Sequence, residues 1–227
     1  MSKAKHRNSM IDTDELGWFR HQLRDWSEGR LRSFPWRGDD MTFYEVFIAE
    51  MFLRRTQAEV VAEVLPKFLE RYPTMSALRE ADPEQLADII RPLGLQNLRS
   101  QALLEIVDAA ESGLPQSVER LQALPQVGHY VAAATMCFAT GEPVPIIDRN
   151  VDRVYQRFLG ERWREADDEG RLALAEAALD VQAPRRHNLA LLDFAAAVCT
   201  AREPDCMSCP MAPRCASVST RGHLAIR

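Results

Sequence analysis

Four of the five cysteines in this 227-residue chain crowd one end, at Cys199, Cys206, Cys209 and Cys215, with spacing C-x6-C-x2-C-x5-C. The opening MSKAKHRNSM carries charge with no apolar segment behind it, so no export is expected and the protein is placed in the cytoplasm. Thiols gathered this closely in a reducing compartment imply a metal centre rather than disulfides. Four sulfur ligands suit either a tetrahedral zinc ion or a [4Fe–4S] cube, and ligand type alone leaves both open. Only Cys206 and Cys209 form the CxxC pair that zinc modules usually carry twice. Cys137, within VAAATMCFAT, reads as a small buried core residue.

Two carboxylates stand out. Asp148 follows the apolar VPII and precedes a helix beginning near Asn150, where aspartate most often serves as an N-cap. Glu50 has Val46, Phe47 and Leu53 at helical spacings of three and four, which points its carboxylate into an apolar face. Burial there favours a protonated acid, hence a proton donor near neutrality; a structural glutamate bonded to backbone is the competing account.

A third feature is LPQVGHY, Leu124 to Tyr130. Pro125 ends one helix, and Gly128 can take the positive φ needed to start another at once. The second helix then turns unpaired amides outward, a site for one DNA phosphate that reads no base. A plain helical hairpin inside a bundle fits the same residues.

These residues need helices to hold them, and strand signals are poor throughout. Thr42 to Glu45 has capping-box spacing ahead of an apolar segment reaching Leu53. Asp82 before Pro83 predicts an N-cap with proline in the first turn, and Gly94 a left-handed stop after Leu93. Residues 117–123, 130–140 and 150–159 read as further helices, the last two closed by Gly141 and Gly160. The chain is therefore expected to be all-α and compact, with breaks at 33–38 and 141–145. The longest apolar run, residues 131–139, is too short to cross a bilayer. A net charge of −5 argues weakly against a polyanion partner, yet arginines pair at 54–55 and 185–186 and recur at Arg202, Arg214, Arg221 and Arg227, so a local basic face is compatible with it. Lysine occurs only as Lys3, Lys5 and Lys67, the first two in a terminus expected to fray.

The ordered set PWR (35–37), AEMFLRRT (49–56), LPQVGHY, IIDRNVDRV (146–154), NLALLDFAAAVC (188–199) and the cysteine loop resembles the helix-hairpin-helix DNA glycosylases that carry an iron–sulfur cluster. The likeness runs from about Phe34 to Cys215. It implies an all-α fold of two helical domains: a six-helix block with the helix-hairpin-helix (34–145), and a cluster domain made from both terminal segments (1–33 and 146–227). It also implies a [4Fe–4S] cluster on Cys199, Cys206, Cys209 and Cys215. The partner would be double-stranded DNA with a mismatched or damaged base, lying across the groove between the domains, with the target nucleotide flipped out into it. A monomer, nucleoid-associated and without membrane contact, is expected.

By the same resemblance, Asp148 falls on the catalytic aspartate, which stabilises positive charge on the deoxyribose as the base leaves. Glu50 falls on a pocket glutamate that bonds or protonates the departing base. Gln126, Gly128 and His129 fall in the phosphate-binding turn, and Arg54 and Arg55 on a DNA-contacting loop from which Arg54 would insert into the opened stack. Gln126 replaces a usual glycine and is strained if positive φ is needed; His129 also departs from the usual residues of the turn. Tyr130 stands where the bifunctional branch carries a Schiff-base lysine, so a monofunctional glycosylase without strand-cleaving lyase activity is expected, with Tyr130 packing on the flipped nucleotide. The set looks most like the G/T-mismatch thymine glycosylases acting on thymine or uracil opposite guanine; the alternatives are an A/G-mismatch adenine glycosylase and a non-catalytic mismatch binder. The acidic charge predicts modest nonspecific affinity, steeply weakened by salt.

Overall fold

The computed structural model describes residues 12–219. Lys3, Lys5, Arg221 and Arg227 lie outside the described residues. The described residues are helical, with no strand among them, and divide into two compact units. One is the contiguous stretch Ser33–Glu142; the other joins the residues up to Arg32 to those from Pro143 on.

In the contiguous unit, short-range chemistry sets the helix starts. The α2 helix (Phe43–Leu53) opens on Thr42, whose Oγ1 accepts from the Glu45 amide while Glu45 Oε2 accepts from the Thr42 amide at 2.7 Å. After α3 (Ala58–Arg71) and the single-turn α4 (Met75–Arg79), α5 (Pro83–Ile90) begins at Asp82, whose Oδ1 takes the Glu84 and Gln85 amides. Gly94 then turns the chain at φ 74°, ψ 161°, and α6 (Gln96–Ala109) follows. The short α7 (Val118–Gln122) leads through the LPQVGHY turn into α8 (His129–Thr140), which Gly141 ends in the left-handed conformation at φ 74°.

The α2 helix is apolar on nearly every side and is buried from Tyr44 to Phe52 except for Glu45. Helices of this kind must be surrounded. It packs on α8, whose buried Ala132, Ala133 and Ala134 allow close approach, and on α3, where the Phe52 and Phe68 rings meet edge to face at 5.0 Å. Cys137 is fully buried.

The other unit packs α1 (Thr13–Ser27), α9 (Arg149–Leu159) and α12 (Pro184–Ala197), with α10 (Glu161–Glu165) and α11 (Asp168–Ala178) at its side. Phe19 lies 4.8 Å from Phe158, and Tyr155 4.8 Å from Trp163, between ring centroids. Buried Asp193 accepts from Arg32 Nε at 2.7 Å and from the Arg32 amide at 2.8 Å, which anchors the chain just past α1. Buried charge needs a partner of this kind.

His187, in the first turn of α12, is 5% exposed, and its Nε2 meets no protein partner among the described residues. Burial holds the imidazole down to about 4, with Asp180 pulling it up and Arg20 pressing it further down. Below the ordinary histidine range the unfolded chain binds a proton that the folded chain refuses until about pH 4. This contribution is complete above about 6.5 and is lost as pH falls through that window, by about 1.4 kcal/mol per pH unit. Urea unfolding at about pH 7.5 and about pH 5 should therefore show that wild type loses roughly 2 kcal/mol more than His187→Leu.

Candidate functional site

Asp148 is the N-cap of α9, in the ordinary role its sequence context suggested, and the arrangement leaves it a further capacity. Its Oδ1 accepts from the Asn150 amide at 2.8 Å and the Val151 amide at 2.7 Å, whereas Oδ2, among the described residues, accepts only from Asn150 Nδ2 at 2.8 Å. Asp148 is half-buried, and a carboxylate oxygen has about two acceptor sites, so Oδ2 keeps capacity toward a ligand. The approach to Asp148 is fixed by Asn188, fully buried in α12: its Nδ2 donates to Val144 O at 2.8 Å and its Oδ1 accepts from the Ile146 amide at 3.3 Å. Asn188 thus holds the extended VPII segment from both sides.

From Asp148 the same helix reaches the cysteines. Asn150 Oδ1 accepts from Arg153 Nη1 at 3.0 Å, and Arg153 donates onward to Cys199 O at 2.9 Å and Ala195 O at 3.0 Å. One turn later Arg157 donates to Thr200 O at 2.7 Å, Ala201 O at 3.1 Å and Cys199 Sγ at 3.4 Å, while Cys215 Sγ donates to Arg157 O at 3.2 Å. The two arginines of α9 therefore shape the cysteine loop.

Cys199, Cys206, Cys209 and Cys215 all line one small cavity with Val198, Pro204 and Val218. Burial pushes the Cys209 and Cys215 thiols up, and the neighbouring thiols add to the rise. Among the described residues no three His, Cys, Asp or Glu side chains are set to hold a single metal ion.

In the contiguous unit, the LPQVGHY turn corrects one expectation. Gly128 is extended, at φ −89°, ψ 169°, and the left-handed residue is Gln126 at φ 61°. The helix starts from an extended N-cap, as helices generally do, so the positive φ falls earlier, on the residue that reverses the chain after Pro125. A Cβ at Gly128 would meet nothing within 4 Å, so packing does not demand glycine there. Gly128 is exposed, and no side chain among the described residues caps the start of α8. His129 Nδ1 lies 3.2 Å from Gln122 Oε1. A left-handed non-glycine residue carries strain of about 1 kcal/mol, so Gln126→Gly should raise unfolding stability by roughly that amount in a urea titration.

Arg54 Nη1 donates to Gln126 O at 2.7 Å, bringing the FLRRT loop onto the turn. Arg54, Arg55 and Gln126 line one cleft of about 260 Å³ with Met51, Phe52 and Leu95. Glu50 is 2% exposed within α2, as its apolar neighbours predicted, and Tyr130 is half-buried in the first turn of α8. Asp148 belongs to the other unit.

Sequence reasoning assigned no role to Asn188, Arg153, Arg157, Leu95, Leu98 or Arg99. Leu95 and Leu98 are 60% and 66% exposed, and they fall off the buried stripe of Ser100, Leu103, Ile106 and Val107, a signal available from periodicity alone.

The helical fold, the open-ended turn and the cysteine loop define a class, and comparison with known proteins agrees with it. Residues 48–178 match the family described as the HhH-GPD superfamily base excision DNA repair protein, and the chain belongs to that family. It is 34% identical over 215 residues to a thymine-DNA glycosylase of Aeropyrum pernix, covering 90% of this chain and 96% of that one. It is 32% identical over 209 residues to an adenine DNA glycosylase of Mycolicibacterium smegmatis, covering 89% of this chain and 68% of that one. The solved structure of a thermostable thymine-DNA glycosylase superposes with a TM-score of 0.87 at 29% identity, covering 91% of this chain and 98% of that one. Endonuclease III bound to DNA, at 20% identity and a TM-score of 0.78, shares the fold. Among the described residues no helix is long and apolar enough to cross a membrane.

Proposed function

We propose that this protein is a monofunctional DNA glycosylase that hydrolyses the N-glycosidic bond of thymine or uracil mispaired with guanine, after flipping the nucleotide from the duplex. The observation that carries this reading is the Asp148 carboxylate: Oδ1 is consumed by the helix, and Oδ2 retains acceptor capacity. Similarity to thymine-DNA and thymine/uracil-DNA glycosylases over 86–90% of the chain supports the choice of base.

In the proposed reaction the bond between the sugar C1′ and the base nitrogen breaks, and its electron pair leaves with the base. Positive charge develops on the deoxyribose and is stabilised by Asp148. Water adds its oxygen to C1′ and gives up a proton, leaving an abasic sugar and the free base. Glu50 hydrogen-bonds or protonates the departing base, and Tyr130 packs on the extruded nucleotide. The outward amides of α8 hold a backbone phosphate, with Gln126, Gly128 and His129 at that contact and Arg54 and Arg55 alongside. A phenol forms no imine, so Tyr130 supports hydrolysis without strand cleavage.

Cys199, Cys206, Cys209 and Cys215 would hold a [4Fe–4S] cluster. When bound it would supply four iron–sulfur bonds that cross-link residues 199–215 to one another.

The test is a set of labelled duplexes carrying G/T, G/U, A/G and A/oxidised-guanine pairs, incubated with protein and then split with alkali. G/T and G/U duplexes should be processed. Release from the adenine-containing pairs in their place would assign the adenine glycosylase activity of the second group of relatives, and tight mismatch binding with no release would assign a non-catalytic binder.

A further inference from the structure

Arg99, in the first turns of α6, ties together three segments that are distant in sequence. Its half-buried guanidinium donates from Nε to Gly94 O at 3.0 Å, from Nη1 to Met51 O at 3.3 Å and Phe52 O at 3.5 Å, and from Nη2 to Arg54 O at 2.6 Å and Thr56 Oγ1 at 2.8 Å. Thr56 Oγ1 in turn donates to Leu93 O at 3.3 Å, and Arg54 passes the network on to Gln126 O. Met51 and Phe52 are among the last residues of α2, whose carbonyls have no helical partner; a cation there satisfies both the hydrogen bonds and the helix dipole.

The network coincides with the strain in the backbone. Among the described residues, the non-glycine residues with positive φ are Arg55 at 59°, Leu95 at 52° and Gln126 at 61°. Arg55 lies between two groups that Arg99 grips, Leu95 follows a third, and Gln126 is held through Arg54. All three line the same cleft, along with Arg99 itself and exposed Leu98. Unusual backbone persists only where the surroundings over-determine it, and here one side chain supplies most of that determination. Burial and the nearby Arg54 both lower the Arg99 pKa, and its carbonyl acceptors offset that unfavourable placement.

We propose that Arg99 is a positioning residue for base excision, fixing residues 54–56, the Gly94–Leu95 turn and the hairpin turn as one rigid edge that the duplex meets as the mispair opens. The inference rests on the glycosylase reading above. It requires arginine in particular: a planar fork reaches acceptors in several directions, whereas an ammonium offers three donors from one point.

The test compares full-length wild type with Arg99→Lys, Arg99→Met and Thr56→Val. It reads single-turnover base release from a G/T duplex, affinity for fully paired duplex, and amide hydrogen exchange. Arg99→Met should slow release on the order of 10- to 100-fold, because small misplacements of aligned groups cost that much, and should leave affinity for paired duplex within about twofold. Exchange should rise at 54–57 and 94–97 while the interior of α2 and α6 stays protected. Arg99→Lys should fall between, and Thr56→Val should shift the same way by less. The proposal is overturned by unchanged release despite faster exchange in those segments, or by slowed release that only follows global unfolding. Should Arg99→Met fail to fold, the lysine and Thr56 variants decide by the same criteria. If wild type itself releases no base from any duplex, the glycosylase reading fails; the exchange pattern still decides whether Arg99 holds the edge.

Discussion

Asp148→Asn is expected to slow base release by a factor of roughly 10² to 10³ while leaving the protein folded and able to bind DNA. An asparagine side-chain oxygen can accept the same two backbone amides that Asp148 Oδ1 accepts, and the two residues are near-equal N-caps. What is lost in folding is the charge at the start of α9 and the bond from Asn150 Nδ2, together below about 1 kcal/mol. What is lost in the reaction is the negative charge facing a developing cation, worth roughly 3–4 kcal/mol, or a factor of 10² to 10³ in rate. Asp148→Ala is expected to lose the same activity and also about 1 kcal/mol of stability, since no side chain then caps the helix. Single-turnover release beside a urea titration of each variant separates the capping role from the chemical one. Full activity in Asp148→Asn would show that the aspartate is only a cap.

Cys209→Ala is expected to have the largest effect on stability. The loop from Cys199 to Cys215 sends Met211 into the core, but Cys206 and Cys209 are half-exposed and Met207 is 98% exposed. Its anchors in the protein include the Arg153 contact to Cys199 O and the Arg157 contacts to Thr200, Ala201 and Cys199. Half-buried, mutually crowded thiols resist ionisation, so metal ligation has to supply the thiolate state, and the binding free energy then becomes folding free energy. Losing one sulfur ligand should remove the visible absorbance of the cluster and several kcal/mol of stability, lowering the midpoint of thermal unfolding by roughly 10 °C or more. Iron and acid-labile sulfide in cluster stoichiometry should accompany wild type. A colourless, zinc-containing wild type of the same stability would refute the assignment.

Much of the local structure was legible because its causes are local. Thr42 with Glu45, and Asp82 with Pro83, set helix starts within four residues of sequence, and both caps form as read. Glu50 was readable as buried because its own helical neighbours are apolar. The turn was harder. Glycine is the residue that tolerates positive φ, so Gly128 was the natural choice, but the reversal occurs at Gln126, where Arg54 fastens the carbonyl from 72 residues away. The same limit hid Asn188 and Arg99. Each acts through carbonyls brought near by tertiary packing, and a backbone carbonyl carries no sequence signal. The cysteine spacing pointed to a metal centre, while the choice between zinc and a cluster rested on the resemblance, because ligand type alone does not separate them.

The most direct test of the central claim follows both products of one reaction. A G/T duplex labelled in the thymine strand is incubated with stoichiometric protein, free base is measured in the supernatant, and the strand is sized before and after alkali. The account predicts free thymine in step with alkali-sensitive sites, on a strand that stays intact until alkali is added. An uncut strand with no free thymine would contradict the glycosylase assignment, and a strand already cut before alkali would contradict a hydrolysis that proceeds without a covalent amine intermediate.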